Sequence, residues 1–172
     1  MSRFAAGSNL LVTVLLAPGI VAHEFAHELG CRLVGVRVLG SSYLDPVSDA
    51  AYVDHETVES FGADAVIAFA PLVVNSVLAA TAFVAAGALD GTPAWPVFAW
   101  VGGTLALTAF PSHADTDSLL ETAWALPWPV RPLGVALAVP LRLGTVVPGV
   151  GGFYGFFWML WLYATVTGTA PP

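Results

Sequence analysis

The sequence predicts an all-α polytopic membrane protein, with about 4–5 transmembrane or re-entrant helices and a small surface β-hairpin. Three observations lead there. First, the 172 residues are 57% hydrophobic and only 10% charged, where soluble domains carry about 25% charged residues. Second, mean hydropathy is +0.79. Third, the apolar residues fall in long stretches divided by short polar breaks, and a bilayer core about 30 Å thick takes about 20 helical residues. So few charges cannot dress a water-soluble surface. That excludes an ordinary cytosolic enzyme, a disordered tail and a nucleic-acid binder. The length fits one domain at roughly 150 residues per domain. Within it the core covers residues 10–126 and the C-terminal helices residues 131–168.

The elements follow in order along the chain. Segment one runs from Ser8 to Gly35. Arg3 followed by the run from Leu10 to Ala22 has the look of a signal peptide, but Ile20-Val21-Ala22 is a poor cleavage site and Pro18-Gly19 interrupts the run, so it is expected to stay as a transmembrane helix. Val36 to Ser60 is mixed in character and carries Asp45, Asp49, Asp54, Glu56 and Glu59. Within it Val36-Arg37-Val38-Leu39, bounded by Gly35 and Gly40, and Ala51-Tyr52-Val53 read as two short strands. Segments two and three run from Asp64 to Leu89 and from Ala94 to Phe110. After a polar break, Asp115 to Leu126 reads as a short helix, ended by Pro127, Pro129 and Pro132. Val135 to Val147 holds Pro140 and Arg142 and is expected to be kinked, re-entrant or interfacial; Phe153 to Val166 is an aromatic-rich final segment.

The charges are one-sided: twelve Asp and Glu against five Arg, with no Lys, for a net charge of −7. Anionic lipids and nucleic acids favour basic surfaces, so neither is expected as a specific partner. Such a balance suits a high-salt cytoplasm. Lacking Lys, the chain has no Schiff-base chemistry and no Ser–Lys dyad. A single cysteine, Cys31, allows no intramolecular disulfide. The arginines do not vote clearly on membrane orientation.

The strongest chemical signal is His23-Glu24-Phe25-Ala26-His27, an HExxH. Residues four apart share one helix face, so both imidazoles reach one metal, with Glu24 beside them as a general base. Ionisable groups inside an apolar segment are costly and mark function. Two histidines leave a catalytic site one protein ligand short. Cys31 lies about 12 Å from His23 by helical rise, too far for one ion, and reads as a small packing residue. Glu28 is turned away from the pair and reads as the partner of a polar group or part of the cavity wall. The third ligand is sought in Pro111-Ser112-His113-Ala114-Asp115-Thr116-Asp117. Asp115 is preferred, with Asp117 and His113 as alternatives; an Asp there also reads as a helix cap. His55 reads as a solvated loop histidine. The six Trp read as interface anchors or packing. Arg142 is expected to snorkel, pair with an acid or touch a lipid phosphate.

These motifs together resemble the site-2 protease family of intramembrane zinc metalloproteases. His23 to His27 resembles its zinc motif. Ala70-Pro71-Leu72-Val73-Val74-Asn75 resembles its Gly-Pro-x-x-x-Asn-like element. Phe110-Pro111-Ser112 followed by Asp115 resembles its proline-containing break before the aspartate ligand. The likeness covers residues 10–126. Ala70 departs from the usual Gly, and Ala114-Asp115-Thr116 from the usual Leu-Asp-Gly. No PDZ-like or nucleotide-binding module is expected in so short a chain. The resemblance implies one Zn2+ held by His23, His27 and Asp115, Glu24 as the catalytic base, and Asn75 binding substrate; an interhelical contact is the other reading of Asn75. It implies hydrolysis of peptide bonds in membrane-spanning protein substrates, which unwind and pair with a surface strand such as Ala51 to Val53. The protein is then multi-pass in the cell membrane, in contact with the lipid bilayer. A non-proteolytic membrane metal-binding protein and a metal transporter are the alternatives. An intact Glu24 speaks against the former, and few polar residues in segments two and three against the latter.

Overall fold

The computed structural model describes residues 3–44, 51–147 and 150–168. Asp45 and Asp49 of the acidic stretch lie outside the described residues. Among these, the chain forms six helices and a two-stranded antiparallel sheet. The first helix, α1, spans Arg3–Val34 and carries Pro18 within it. Gly35 ends it with a φ of 75°. Its N–H reaches the Arg32 carbonyl at 3.3 Å and the Val36 N–H reaches the Cys31 carbonyl at 2.9 Å. These two bonds are the glycine-capped helix stop that satisfies otherwise orphaned carbonyls.

That cap shifts the hairpin. Val36 is spent on closing α1, so β1 covers Val38–Ser42 rather than Val36 to Leu39. It runs through Gly40, where a strand end was expected. It pairs with β2 (Tyr52–His55) in the register Val38↔His55, Gly40↔Asp54, Ser41↔Val53 and Ser42↔Tyr52, with an irregularity between Val38 and Gly40. The hairpin is fastened to α1 twice. Val36 and Val38 pack on a buried cluster of Cys31, Val58 and Ile67. The Tyr43 hydroxyl and the Arg32 guanidinium both donate to the Glu28 carboxylate. The bond to Glu28 pushes the Tyr43 hydroxyl pKa above its ordinary value.

The second long helix, α2, spans Phe61–Ala88. Ser60 caps it through a bond from the Ala63 N–H at 3.4 Å, and Pro71 sits inside it without ending it. The remaining helices are α3 (Trp95–Leu107), α4 (His113–Ala125), α5 (Arg131–Val146) and α6 (Val150–Thr167). Pro132, read from sequence as a breaker, instead stands in the first turn of α5, where its missing N–H has no intrahelical role. Pro140 lies within that helix. Among the described residues, only Leu10–Val34 and Phe61–Ala88 are long and apolar enough to cross a membrane, with a third span if α5 and α6 form one broken crossing. Of the expected 4–5 transmembrane or re-entrant helices, two or three meet this measure of a full span. Helix α3 has 13 residues, which rise about 20 Å against a core of about 30 Å.

α1, α2 and α3 pack on one another, α6 covers α2 and α3, and α4 pairs with α5. Apolar cores lie among α2, α3 and α6 (Ala79, Phe83, Leu105, Ala106, Leu162) and between α4 and α5 (Leu119, Ala123, Ala138). The polarity of the helices is inverted relative to a water-soluble domain. Leu11 on α1 and Val73 on α2 are 60% and 63% exposed, while Asp64 and Asn75 on α2 are 2% and 0% exposed.

Candidate metal centre

The site is assembled from three parts: the histidines of α1, the backbone carbonyls of α2 and of the end of α3 behind them, and the start of α4. α1 presents His23 and His27 one helical turn apart. Each ring is held from behind by a backbone carbonyl: His23 Nδ1 lies 2.6 Å from the Thr108 oxygen and His27 Nδ1 lies 3.0 Å from the Ile67 oxygen. A carbonyl oxygen can only accept, so both Nδ1 atoms carry protons and donate. Both Nε2 atoms therefore face forward, 3.1 Å apart. Ring orientation of this kind, set by a carbonyl behind a histidine, is the usual support of a metal ligand.

The third part is the start of α4. The chain leaves α3 at Thr108 and re-enters helix at Ser112, which is the N-cap. Ser112 and Asp115 form a reciprocal capping box: the Ser112 N–H donates to Asp115 Oδ2 at 2.6 Å, and the Asp115 N–H to Ser112 Oγ at 3.4 Å. The same Oδ2 lies 3.3 Å from His27 Nε2 and 3.9 Å from His23 Nε2. Asp115 is thus at once part of a helix start and a neighbour of both histidines; the cap itself is Ser112.

His23, His27 and Asp115 each offer one ligand atom, all within 4.8 Å of one another. Zinc bonds of about 2.05 Å in a tetrahedron put ligand atoms about 3.3 Å apart. The observed 3.1, 3.3 and 3.9 Å bracket that value. With both Nδ1 protons committed to carbonyls, two imidazole lone pairs and a carboxylate oxygen converge. Only a shared proton or a cation reconciles them, and a divalent cation serves all three. The donor set fits zinc.

Glu24 lines the same cavity of about 140 Å³, with His23, His27, Ser112, Ala114 and Asp115 on one side and Ala51, Tyr52, Val53 and His55 of the hairpin on the other. A second cavity, of about 230 Å³, shares His23 and Glu24 and adds Ile20, Thr108 and Phe110. The other sequence candidates go elsewhere. Asp117 pairs with His113 Nδ1 at 3.2 Å and with Arg142 Nη2 at 2.6 Å, so neither Asp117 nor His113 joins the cluster and Arg142 has an acidic partner. Cys31 is fully buried in packing, and Glu28 is held by Tyr43 and Arg32.

Asn75 does not reach the cavity. Its Nδ2 donates to the Gly19 carbonyl at 3.2 Å and to Thr108 Oγ1 at 3.1 Å, with the Thr108 carbonyl at 3.5 Å. Its Oδ1 is buried without a partner among the described residues. These bonds are an interhelical contact, and they steady the residue whose carbonyl holds His23.

His55 needs the opposite correction. It ends a strand, is half-buried and lines the cavity instead of standing in a solvated loop. Its Nδ1 lies 2.8 Å from the Glu56 carbonyl, so the proton sits there and Nε2 is the free ring nitrogen. No apolar periodicity marks His55, since it stands beyond the Ala51-Tyr52-Val53 run. Thr108 and Ile67 act through backbone oxygens, which no side-chain motif reveals.

No family model matches the chain, and neither does any curated protein or any solved structure.

Proposed function

We propose that the protein is an intramembrane zinc metallopeptidase of the site-2 protease kind, multi-pass in the cell membrane, acting on membrane-spanning protein substrates. The observation that carries this reading is the convergence of His23, His27 and Asp115 with Glu24 on the wall of the same cavity. A structural zinc site closes its coordination with protein groups and needs no base, whereas a catalytic one keeps a position open. Three protein ligands beside a carboxylate suit the second kind.

Zinc, when bound by His23, His27 and Asp115, supplies Lewis-acid polarisation of a carbonyl and acidifies water. The chain's own residues do the rest. Glu24 takes a proton from the attacking water as its oxygen joins the scissile carbonyl carbon. Glu24 then delivers that proton to the leaving nitrogen as the C–N bond breaks. The Thr108 and Ile67 carbonyls keep both imidazoles aimed at the ion. A helical substrate hides its peptide bonds, so it enters unwound. Ala51 to Val53 line the cavity and offer an edge on which an extended segment adds as a strand. His55 Nε2 stands on the same wall as a hydrogen-bond partner for that segment.

The test is cleavage of fluorescein-labelled casein and of a panel of single-span peptides by zinc-loaded protein in detergent, beside Glu24→Gln and beside 1,10-phenanthroline treatment. Cleavage abolished by both supports the proposal. A zinc-loaded wild type that cleaves none of these faster than Glu24→Gln overturns it.

A further inference from the structure

We infer that Asp64 is a positioning residue for the metal site: it locks α4 to α2 in the one register that brings Asp115 to the histidines. This rests on the metal reading of the site and not on peptidase activity. Asp64 is buried to 2% exposure. Its Oδ1 accepts a hydrogen bond from Ser118 Oγ at 3.0 Å and its Oδ2 one from Thr122 Oγ1 at 2.7 Å. Ser118 and Thr122 follow Asp115 by three and seven positions, so all three lie on one face of α4. On α2, Asp64 precedes Ile67 by one turn, and the Ile67 carbonyl is the group that orients His27. One carboxylate therefore joins the backbone behind one ligand to the helix that carries another.

Apolar packing already joins these helices: Phe61, Ala65 and Phe69 of α2 pack against Leu119 and Ala123 of α4. Such contact is non-directional and leaves α4 free to slide. A slide of one residue moves a helix by about 1.5 Å, whereas metal–ligand distances tolerate about 0.2 Å. Hydrogen bonds to a fixed carboxylate are directional, and two of them set both height and rotation. The sequence motif hides this role, because Asp64 reads as an ordinary acid in the first turn of a helix.

The experiment is Co2+ titration of the full chain in detergent, read by visible absorption, for wild type, Asp64→Asn, Asp64→Ala, Asp115→Ala and the α4-side double variant Ser118→Ala/Thr122→Val. Near-UV circular dichroism checks folding. Asp64→Asn keeps one acceptor oxygen, and its amide N–H can donate to the Thr122 hydroxyl, which turns its own proton to the Leu119 carbonyl; both links to α4 survive, so it retains the wild-type spectrum and affinity within about threefold. Asp64→Ala binds about 10- to 100-fold more weakly, with a spectrum moved toward that of Asp115→Ala. If Asp64→Ala does not fold, the double variant reads the same link and shows the same shift. Folded Asp64→Ala or the folded double variant with wild-type affinity and spectrum overturns the inference. So does Asp64→Asn as weak as Asp64→Ala, which would place the effect in charge rather than position. A wild type that binds Co2+ but cleaves nothing overturns the peptidase proposal alone, and one that binds no Co2+ overturns both.

Discussion

Gly19→Ala adds one methyl group a full helical turn before His23, yet its effect should reach the metal. A Cβ at Gly19 would lie 2.2 Å from the Thr104 oxygen and 2.5 Å from Thr108 Oγ1. Carbon and oxygen do not approach so closely, and the end of α3 must retreat by about 1 Å to restore contact distance. The Thr108 carbonyl travels with it. Its 2.6 Å bond from His23 Nδ1 then lengthens by up to about 1 Å, toward the limit of hydrogen-bond range. The Asn75 bonds to the Gly19 carbonyl and to Thr108 Oγ1 span the same gap and stretch too. Forced repacking of this kind costs about 1–3 kcal/mol, and loss of a histidine's orienting partner costs about 10- to 100-fold in metal affinity. Zinc competition against a chromophoric chelator, with thermal unfolding of the same samples, measures both. Gly87→Ala is the control: the space around its Cβ is open, and the change favours helix by up to about 1 kcal/mol. Wild-type zinc affinity and Tm in Gly19→Ala would refute the link between the α1–α3 contact and the histidine.

Three further outcomes are expected. Asp115→Ala loses zinc from purified protein while Asp117→Ala keeps it, because Asp117 is turned to Arg142 and His113 and not to His23 and His27; elemental analysis showing the reverse would move the third ligand. Glu24→Gln retains about one zinc per chain and loses cleavage of any substrate the wild type cuts, and zinc lost together with activity would show that Glu24 holds the ion. His55→Phe leaves zinc content unchanged and lowers kcat/KM by about 10-fold or more; unchanged kinetics would return His55 to the role of a bystander.

What could be read from sequence follows the range of the interactions involved. The two histidines were legible because one helical turn, a purely local repeat, puts them together. The end of α1 and the starts of α2 and α4 carry their own signals in Gly35, Ser60 and Ser112. The choice between Asp115 and Asp117 was open because two residues on one turn look alike until Arg142, from α5, claims one of them. The hairpin is legible but its first strand lies two residues further on, since a helix cap and a strand compete for Val36. His55 and Asp64 were missed as site residues for a common reason. Each takes its meaning from other elements of the fold: His55 from the α1 and α4 residues across the cavity, Asp64 from its bonds to Ser118 and Thr122. Asn75 is legible as a polar residue in an apolar helix, but its direction depends on where Gly19 and Thr108 come to rest.

The route by which the chain closes on this centre has a consequence for how the protein matures. His23 and Asp115 stand 92 positions apart in the chain, and their side chains meet at 3.9 Å. Between them lie the hairpin, all of α2 and all of α3, and the carbonyls behind the two rings belong to α2 and to the end of α3. The nascent N-terminal helix alone therefore holds a pair of unsupported imidazoles. The ion's full set of contacts exists only after α4 has been made and docked. On the proposed metal reading, loading is then a late event: the ion binds the folded chain and adds its binding free energy to the stability of the fold. A chain truncated before α4 should emerge with its histidines intact and no tight hold on zinc.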